Sequence, residues 1–192
     1  MGERKKIDGV IMKKLLLLIV LMSQSIFAQE LAKPSTFHRL LVFNDNNELM
    51  VVKVKNSNRW VTPGWYQDHN LTIQDGLDEL AASYGIKITT PTLRGVFTLK
   101  TEQNNELSTR LVYTSKMKSG ELKAPEMIEE IRWLSTKDAM KLITFAHINA
   151  QIDQLMKFPD TIWGGSQLMY QQDGIYKAKF IELFYPLTDT AI

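Results

Sequence analysis

Two carboxylates one helical turn apart, Asp75 and Glu79, have the spacing needed for metal chemistry. Residues i and i+4 of a helix project from one face, and carboxylate oxygens are preferred ligands of Mg²⁺ and Mn²⁺. A cation held there, with help from Asp68 or Asp78, could bridge phosphate oxygens and activate water. The alternative interpretation is an ordinary acidic helix face in contact with solvent.

A corner at Pro63-Gly64 brings a second group of candidate residues together just before that helix. The rings of Trp65 and Tyr66 could stack on a base or a sugar, and His69 in the following loop could contact the same ligand. The predicted ligand-binding residues are therefore Gly64, Trp65, Tyr66 and His69. Ring packing and a solvent-exposed histidine explain the same residues without a ligand.

Other kinds of site find little support in the sequence. The chain has no cysteine, which excludes a disulfide framework, a thiolate zinc site and a cysteine nucleophile. Its histidines, His38, His69 and His147, lack the spacing typical of zinc ligands. The glycine-rich segment 163–166 could form an anion-binding nest, or a tight turn beside a packed tryptophan. No nucleophile–base constellation, phosphate loop or dinucleotide motif is present.

Residues 1–28 have the composition of a secretory signal peptide. Lys13 and Lys14 supply a charged start, residues 15–22 form an apolar run of about 8 residues, and Ala28 is a small residue at the predicted cleavage point. This run is shorter than the roughly 20 residues of a spanning helix, although an uncleaved signal anchor is an alternative. We predict an exported protein, periplasmic or secreted, with no membrane span after cleavage and a start at Met1 or Met12.

The basic charge of the chain belongs largely to this segment. The net charge is +2, and removal of residues 1–28 takes away five basic and two acidic residues, which leaves about −1. A nearly neutral protein has no electrostatic basis for binding nucleic acid. We therefore predict no nucleic-acid partner.

The candidate residues lie among strands and one well-marked helix. Apolar patterns and turn residues predict strands at 37–43, 49–54, 93–100 and 109–117. Between them, residues 72–84 predict an amphipathic helix, in which Thr72 and Asp75 form a capping pair and Gly85 a left-handed C-cap. Its predicted apolar face consists of Ile73, Leu77, Leu80, Ala81 and Tyr84. Gly76 costs this helix about 1 kcal/mol relative to alanine, which indicates close packing.

The second half of the chain continues the mixture of strands and helices. It contains a short strand at 131–134, a helix capped by Ser135 and Asp138, and a helix that ends before Pro159. A hairpin with an Asp173-Gly174 turn follows. Strands mixed with a central helix indicate an α/β or α+β sandwich.

The corner and the central helix together resemble the signature of the Nudix hydrolase superfamily, G-x5-E-x7-R-E-U-x-E-E-x-G-U, in which U is a bulky aliphatic residue. Gly64 matches the first glycine, and Glu79 and Leu80 match the glutamate and aliphatic residue that follow the arginine. Gly85-Ile86 matches the terminal pair. Members commonly carry a W-x-x-P-G-G corner and an E-x-x-W strand, which the segments 60–64 and 130–133 resemble in part.

The resemblance implies a fold and a division of the chain. We expect a Nudix-type α/β/α sandwich around a mixed β-sheet over residues 37–145, preceded by a linker at 29–36. A C-terminal helix and hairpin, residues 146–192, extend it.

The polar residues of the signature are mostly replaced. Ala82 and Ser83 stand where the paired metal-binding glutamates belong, Asp78 replaces the arginine, and Asn70 replaces the earlier glutamate. Glu79 is the one match among these carboxylates and is the candidate catalytic residue. Members also use carboxylates from other loops, a role open to Glu126, Glu129 or Glu130, although solvated charges explain these residues equally well.

Three functions follow as hypotheses. The first is an exported protein that binds a nucleotide-like or phosphorylated small molecule, with weak or no family hydrolysis and no cofactor. The second is an active pyrophosphohydrolase that uses Mg²⁺ or Mn²⁺ at a relocated site around Asp75 and Glu79. The third is an interaction module of the cell envelope, whose Trp65/Tyr66 corner contacts a protein or a glycan.

Overall fold

The computed structural model describes residues 35–68, 70–103 and 107–188. The predicted signal peptide and most of the linker lie outside these residues, and so does His69. The described strands and helices agree closely with those predicted from the sequence.

The first four strands build the corner that precedes the central helix. Strand β1 (Ser35–Phe43) and β2 (Leu49–Val54) form an antiparallel hairpin. The short β3 (Trp60–Val61) pairs with β2, whereas β4 (Gly64–Tyr66) pairs antiparallel with the beginning of β1. The corner at Pro63 therefore lies where the chain passes from one strand of the hairpin to the other.

Helix α1 (Ile73–Ser83) has the ends that the sequence predicts. The Thr72 hydroxyl donates to the Asp75 carboxylate at 2.6 Å and accepts from the Asp75 N–H at 3.2 Å, which is a capping arrangement. At the other end Gly85 has φ +76°, a conformation that glycine adopts without strain. Leu77 and Ala81 are buried as predicted, but Ile73 in the first turn is 39% exposed.

The middle strands extend the sheet from β1. Strand β5 (Ile86–Ile88) and β6 (Thr92–Thr101) both pair antiparallel with β7 (Leu107–Gly120), and β7 runs parallel to β1. Strand β8 (Ile128–Leu134) pairs with the other edge of β2.

Two helices and a hairpin complete the described chain. Helix α2 (Thr136–Leu142) is capped by Ser135, and α3 (Ala146–Lys157) follows it directly. Strand β9 (Trp163–Gln172) runs parallel to β6 and pairs with β10 (Ile175–Pro186) across a turn in which Asp173 and Gly174 both have positive φ. Two positive φ angles match the right-handed twist of the hairpin.

Helices cover both faces of this mixed sheet, whose order is β10-β9-β6-β7-β1-β2-β3. Alternate residues of a strand face opposite sides. Leu40 and Val42 of β1 accordingly pack in a core with Leu77 of α1, and Leu41 packs in a second core with Ile148 and other residues of α2 and α3. The predicted α/β/α sandwich is confirmed. No helix within the described residues has the length and apolar character needed to cross a membrane.

Candidate functional site

The carboxylates of α1 do not form the metal site that the family resemblance implies. Asp75 is engaged in the capping pair with Thr72, and Asp78 accepts a hydrogen bond from Gln74 at 2.9 Å. Glu79 is exposed, as are Ala82 and Ser83 on the next turn.

Within the described part of the chain, no three His, Cys, Asp or Glu side chains lie close enough together to hold a metal ion. Mg²⁺ needs several oxygen ligands in near-octahedral geometry. The donor set of α1 therefore does not fit a three-carboxylate site. The assignments of Asp75 and Glu79 to a relocated site stay predictions.

Two of the glutamates outside the signature have partners of their own. Glu129 forms an ion pair with Lys53 at 2.9 Å, and Glu130 forms one with Arg132 at 2.6 Å. The first pair links β2 to β8 and the second lies within β8. Both glutamates are about half exposed, so these pairs contribute little to stability.

Gly64 is required by the close approach of β4 to β1. A Cβ atom at this position would clash with the Phe37 ring and would lie 2.8 Å from the His38 carbonyl oxygen. Glycine therefore permits the pairing of Arg39 with Gly64 that anchors the corner.

Trp65 lies between the sheet and α1. Its indole packs on Gly76 of the helix, where a Cβ atom would clash with the ring, and it stacks on His38 with a centroid distance of 4.3 Å. His38 contacts Gln67 through Nε2 at 2.9 Å. Burial lowers the pKa of His38, and the contact with Gln67 acts in the opposite direction. The indole thus holds the corner against α1.

Tyr66 faces the other side of the sheet and is 49% exposed. Its ring packs edge-on against Phe37 at 4.8 Å, and its hydroxyl accepts a hydrogen bond from Arg110 Nη2 at 3.2 Å. Gly64 and Tyr66 both line a cavity of about 350 Å³, of which Trp65 is not a part. The structure thus separates Trp65 from Gly64 and Tyr66, and the role of all the predicted ligand-binding residues stays a prediction.

The cavity is mostly apolar. Its apolar lining residues come from several strands, from α3 and from the segments just before β8 and α3, and include Val52, Val54, Leu99, Met127, Phe145, Ile148 and Met169. Its charged lining residues are Arg39 and Arg110. None of the described residues that line it is acidic.

The two arginines are almost fully buried, at 4% and 8% exposure. Both lie over the Phe37 ring, with guanidinium carbons 5.2 Å (Arg39) and 4.8 Å (Arg110) from its centroid. Arg39 donates to the Thr62 hydroxyl at 2.7 Å, but its Nε has no partner. Arg110 donates through Nε to the Ser108 hydroxyl at 2.9 Å.

Burial, with a further contribution from the charge of Arg110, lowers the pKa of Arg39 to about 9; Tyr66 acts in the opposite direction. Arg39 therefore stays positively charged at neutral pH. Neither arginine belongs to any of the ion pairs between described residues.

His147, from the first turn of α3, lies on the same cavity and is 4% exposed. Burial and the positive charges of Arg39 and Arg110 hold its pKa well below the usual range, so the ring is neutral at pH 7. Its Nδ1 has no hydrogen-bond partner.

The sequence does not predict the arginine pair, although the pattern of residues along β1 indicates that Arg39 is buried. Phe37, Arg39 and Leu41 alternate along β1, which places the arginine on a buried face of the strand. Arg110 joins them because β7 runs parallel to β1 and sets Arg110 opposite Phe37. That long-range pairing is not visible in either segment alone.

Solved structures with a similar fold identify the architecture. The MutT protein from Bacillus halodurans is 14% identical with a TM-score of 0.58, over 75% of this chain and 97% of that chain. A Nudix hydrolase from Nitrosomonas europaea is 13% identical, with a TM-score of 0.58 over 72% of this chain and 80% of that chain. A C. elegans Ap4A hydrolase is 13% identical, with a TM-score of 0.53 over 65% of this chain and 97% of that chain.

No family model and no curated protein sequence matches the chain. Identities this low show the fold alone. The chain therefore has the fold of the Nudix hydrolases, which confirms the resemblance found in the sequence.

Proposed function

We propose that this protein is an exported Nudix-fold protein that binds a nucleotide-like or phosphorylated small molecule and has weak or no hydrolase activity. The observation that carries the proposal is the set of residues on α1. The helix has the position and ends that the Nudix signature predicts, and it carries Glu79. It lacks the two carboxylates that the signature places one turn later. Ala82 and Ser83 occupy those positions and are exposed.

The missing carboxylates matter because of what the reaction requires. Cleavage of a diphosphate linkage needs a cation that bridges phosphate oxygens and activates water. Even changes in groups that only orient metal ligands cost 10–100-fold in affinity or activity. Loss of two direct ligands is expected to cost more, so hydrolysis at this helix would be weak or absent.

Retention of a ligand pocket supports binding without hydrolysis. The cavity beside the corner has a volume in the range of small-molecule sites, an apolar lining and a few polar groups. The similar C. elegans protein is named as a hydrolase of Ap4A, a phosphorylated nucleotide compound. We extend only the class of ligand, not the reaction, to this chain.

A turnover assay tests the absence of hydrolysis. Protein beginning after Ala28 is incubated with ADP-ribose, dinucleoside polyphosphates and NADH in the presence of Mg²⁺ or Mn²⁺. We expect the substrates to stay intact. Turnover that Glu79→Ala abolishes and Asp78→Ala preserves would overturn the proposal in favour of a hydrolase with a relocated metal site.

Binding is tested separately from turnover. A ligand that binds the native state raises the melting temperature in a concentration-dependent way. We expect at least one of these compounds to do so. No shift with any of them, and none with inorganic phosphate, would favour the third hypothesis, an interaction module of the cell envelope.

Export is tested at the amino terminus. Mass spectrometry of the protein produced in a secreting bacterium should find a chain that begins at Gln29 in the exported fraction. A soluble cytoplasmic protein that retains residues 1–28 would contradict export.

A further inference from the structure

The arginine pair in the cavity is arranged as a binding site without its ligand. A buried charge without a counter-ion is strongly destabilising, and proteins normally pair such charges or hydrogen-bond them fully. Arg39 lines the cavity with its charge uncompensated and its Nε unbonded. Groups kept in such an unfavourable environment are concentrated at functional sites.

A purely structural role explains only part of this geometry. Arg39 holds Thr62 at the corner, and Arg110 holds Ser108 and Tyr66. Neutral donors would make these bonds without burying two like charges around one ring. An anion bound in the cavity against both guanidinium groups would relieve their mutual repulsion. The hydrogen bonds to Thr62, Ser108 and Tyr66 do not do so.

The surroundings indicate the chemistry of the ligand. Guanidinium groups bind the oxygens of phosphates and carboxylates through directed, charge-assisted hydrogen bonds. The rest of the lining is largely apolar, so the anionic group is expected to be attached to a compact, largely apolar body. The volume of about 350 Å³ admits one small molecule.

We propose that Arg39 and Arg110 form an oxyanion-binding site in this cavity, which takes the phosphate or carboxylate group of a small organic molecule. The inference rests on the proposed function and deepens it by locating the charged group of the ligand. It places that group on the α3 side of β1, away from Glu79. His147 and the Tyr66 hydroxyl lie on the same cavity and are positioned to contact the rest of the ligand.

The test uses inorganic phosphate and benzoate as probes, at constant ionic strength. Phosphate should raise the melting temperature progressively with its concentration, by about 5 °C at about a hundredfold excess over Kd. Arg39→Met and Arg110→Met should each weaken the phosphate Kd by about 10- to 100-fold, because each removes charged hydrogen bonds. Arg59→Met removes an exposed arginine that is not part of the lining, and should leave Kd unchanged.

A further variant guards against loss of folding. Arg110→Lys keeps the positive charge but cannot donate to Ser108, Tyr66 and a ligand with the same geometry, so we expect an intermediate Kd. Near-ultraviolet circular dichroism verifies the native state of each variant. If Arg39→Met does not fold, the Kd of Arg110→Lys and Arg110→Met still decides the question.

The outcomes separate this inference from the proposed function. Saturable binding of benzoate but not phosphate assigns the site to carboxylates and supports it. The absence of a concentration-dependent shift with either probe overturns the site, and so does a phosphate shift that both methionine variants retain. Glu79-dependent turnover of ADP-ribose overturns the proposed function but leaves the oxyanion site standing. Inorganic phosphate contains no diphosphate linkage, so its binding is measured independently of hydrolysis.

Discussion

At the scale of single residues, Gly76 shows how one missing side chain fixes the position of the corner. The Trp65 indole packs directly on the backbone of α1 at this residue. Glycine inside a helix costs about 1 kcal/mol relative to alanine. Here the cost is offset by the burial of a large aromatic ring between α1 and β1.

Gly76→Ala should therefore destabilise the protein, although alanine is the better helix former. The added Cβ would clash with the indole, and overpacking of this kind costs about 1–3 kcal/mol. Urea denaturation measures the free energy of unfolding. As a control, Gly76→Ala combined with Trp65→Leu should recover part of the loss. An increase in stability on Gly76→Ala alone would contradict the packing described.

His147 gives the cavity a dependence on pH. The ring faces Arg39 and Arg110 across the cavity, and no described acidic residue lines it. Because the folded-state pKa lies below the unfolded value, the unfolded chain binds a proton that the native protein does not. Stability is therefore lost as the pH falls below about 6.5, with a slope of about 1.4 kcal/mol per pH unit for each such group.

His147→Gln should remove this contribution. Urea denaturation at about pH 7.5 and about pH 5.5 should show a loss of stability smaller than in the wild type, by about 1.4 kcal/mol over this whole interval. His38, whose pKa is also lowered, accounts for part of the slope that remains. Equal slopes in the two proteins would show that His147 does not resist protonation.

At the scale of elements, α1 is a capped helix that carries Glu79 as the one acidic residue among positions 79, 82 and 83. Positions 79, 82 and 83 are exposed, and residues three and four apart share a face of the helix. The Thr72 cap and Gly85 fix both ends. Substitutions on this face should therefore change chemistry without changing the fold.

Ala82→Glu combined with Ser83→Glu should create a divalent-cation site together with Glu79. We expect Mn²⁺ to raise the melting temperature of this variant more than that of the wild type, because binding to the native state alone is stabilising. The matched variant Ala82→Gln with Ser83→Gln has the same size without the charges and should show no gain. Equal Mn²⁺ shifts in all three proteins would contradict this interpretation of α1.

These elements could be predicted from the sequence because their signals are local. The capping pair at Thr72, the glycine at 85 and the Asp173-Gly174 turn each mark an end of a helix or strand. The helical spacing predicts that Ile73 belongs to the apolar face, but the residue is exposed because it lies in the first turn. The cavity could not be predicted in the same way, because β1, β7 and α3 meet there only through the parallel pairing of distant strands.

At the scale of the whole molecule, the C-terminal hairpin shares the core of the sheet. Trp163 and Phe184 pack against the buried cluster that α2 and α3 cover, and β9 pairs with β6 along its length. The Phe184 ring contacts Phe97 with a centroid distance of 5.3 Å. The hairpin is expected to unfold together with the rest of the sheet.

Phe184→Ala should destabilise the whole fold by about 2–4 kcal/mol, because it removes a large, partly buried ring that packs against the core. Leu183→Ala changes the preceding residue, whose side chain is 73% exposed. It should change stability by less than about 0.5 kcal/mol. Denaturant curves followed by tryptophan fluorescence and by far-ultraviolet circular dichroism should coincide for both variants. Separate transitions would show that the hairpin unfolds independently.

We propose that the chain combines the Nudix fold and a ligand cavity with weak or no hydrolysis of diphosphate linkages. Phosphorus-31 NMR of the protein with ADP-ribose and Mg²⁺ tests it most directly, because one spectrum reports the state of the diphosphate linkage. We predict that the diphosphate resonances persist and that no phosphate monoester signal appears. Monoester signals that form with the wild type and not with Glu79→Ala would contradict the claim.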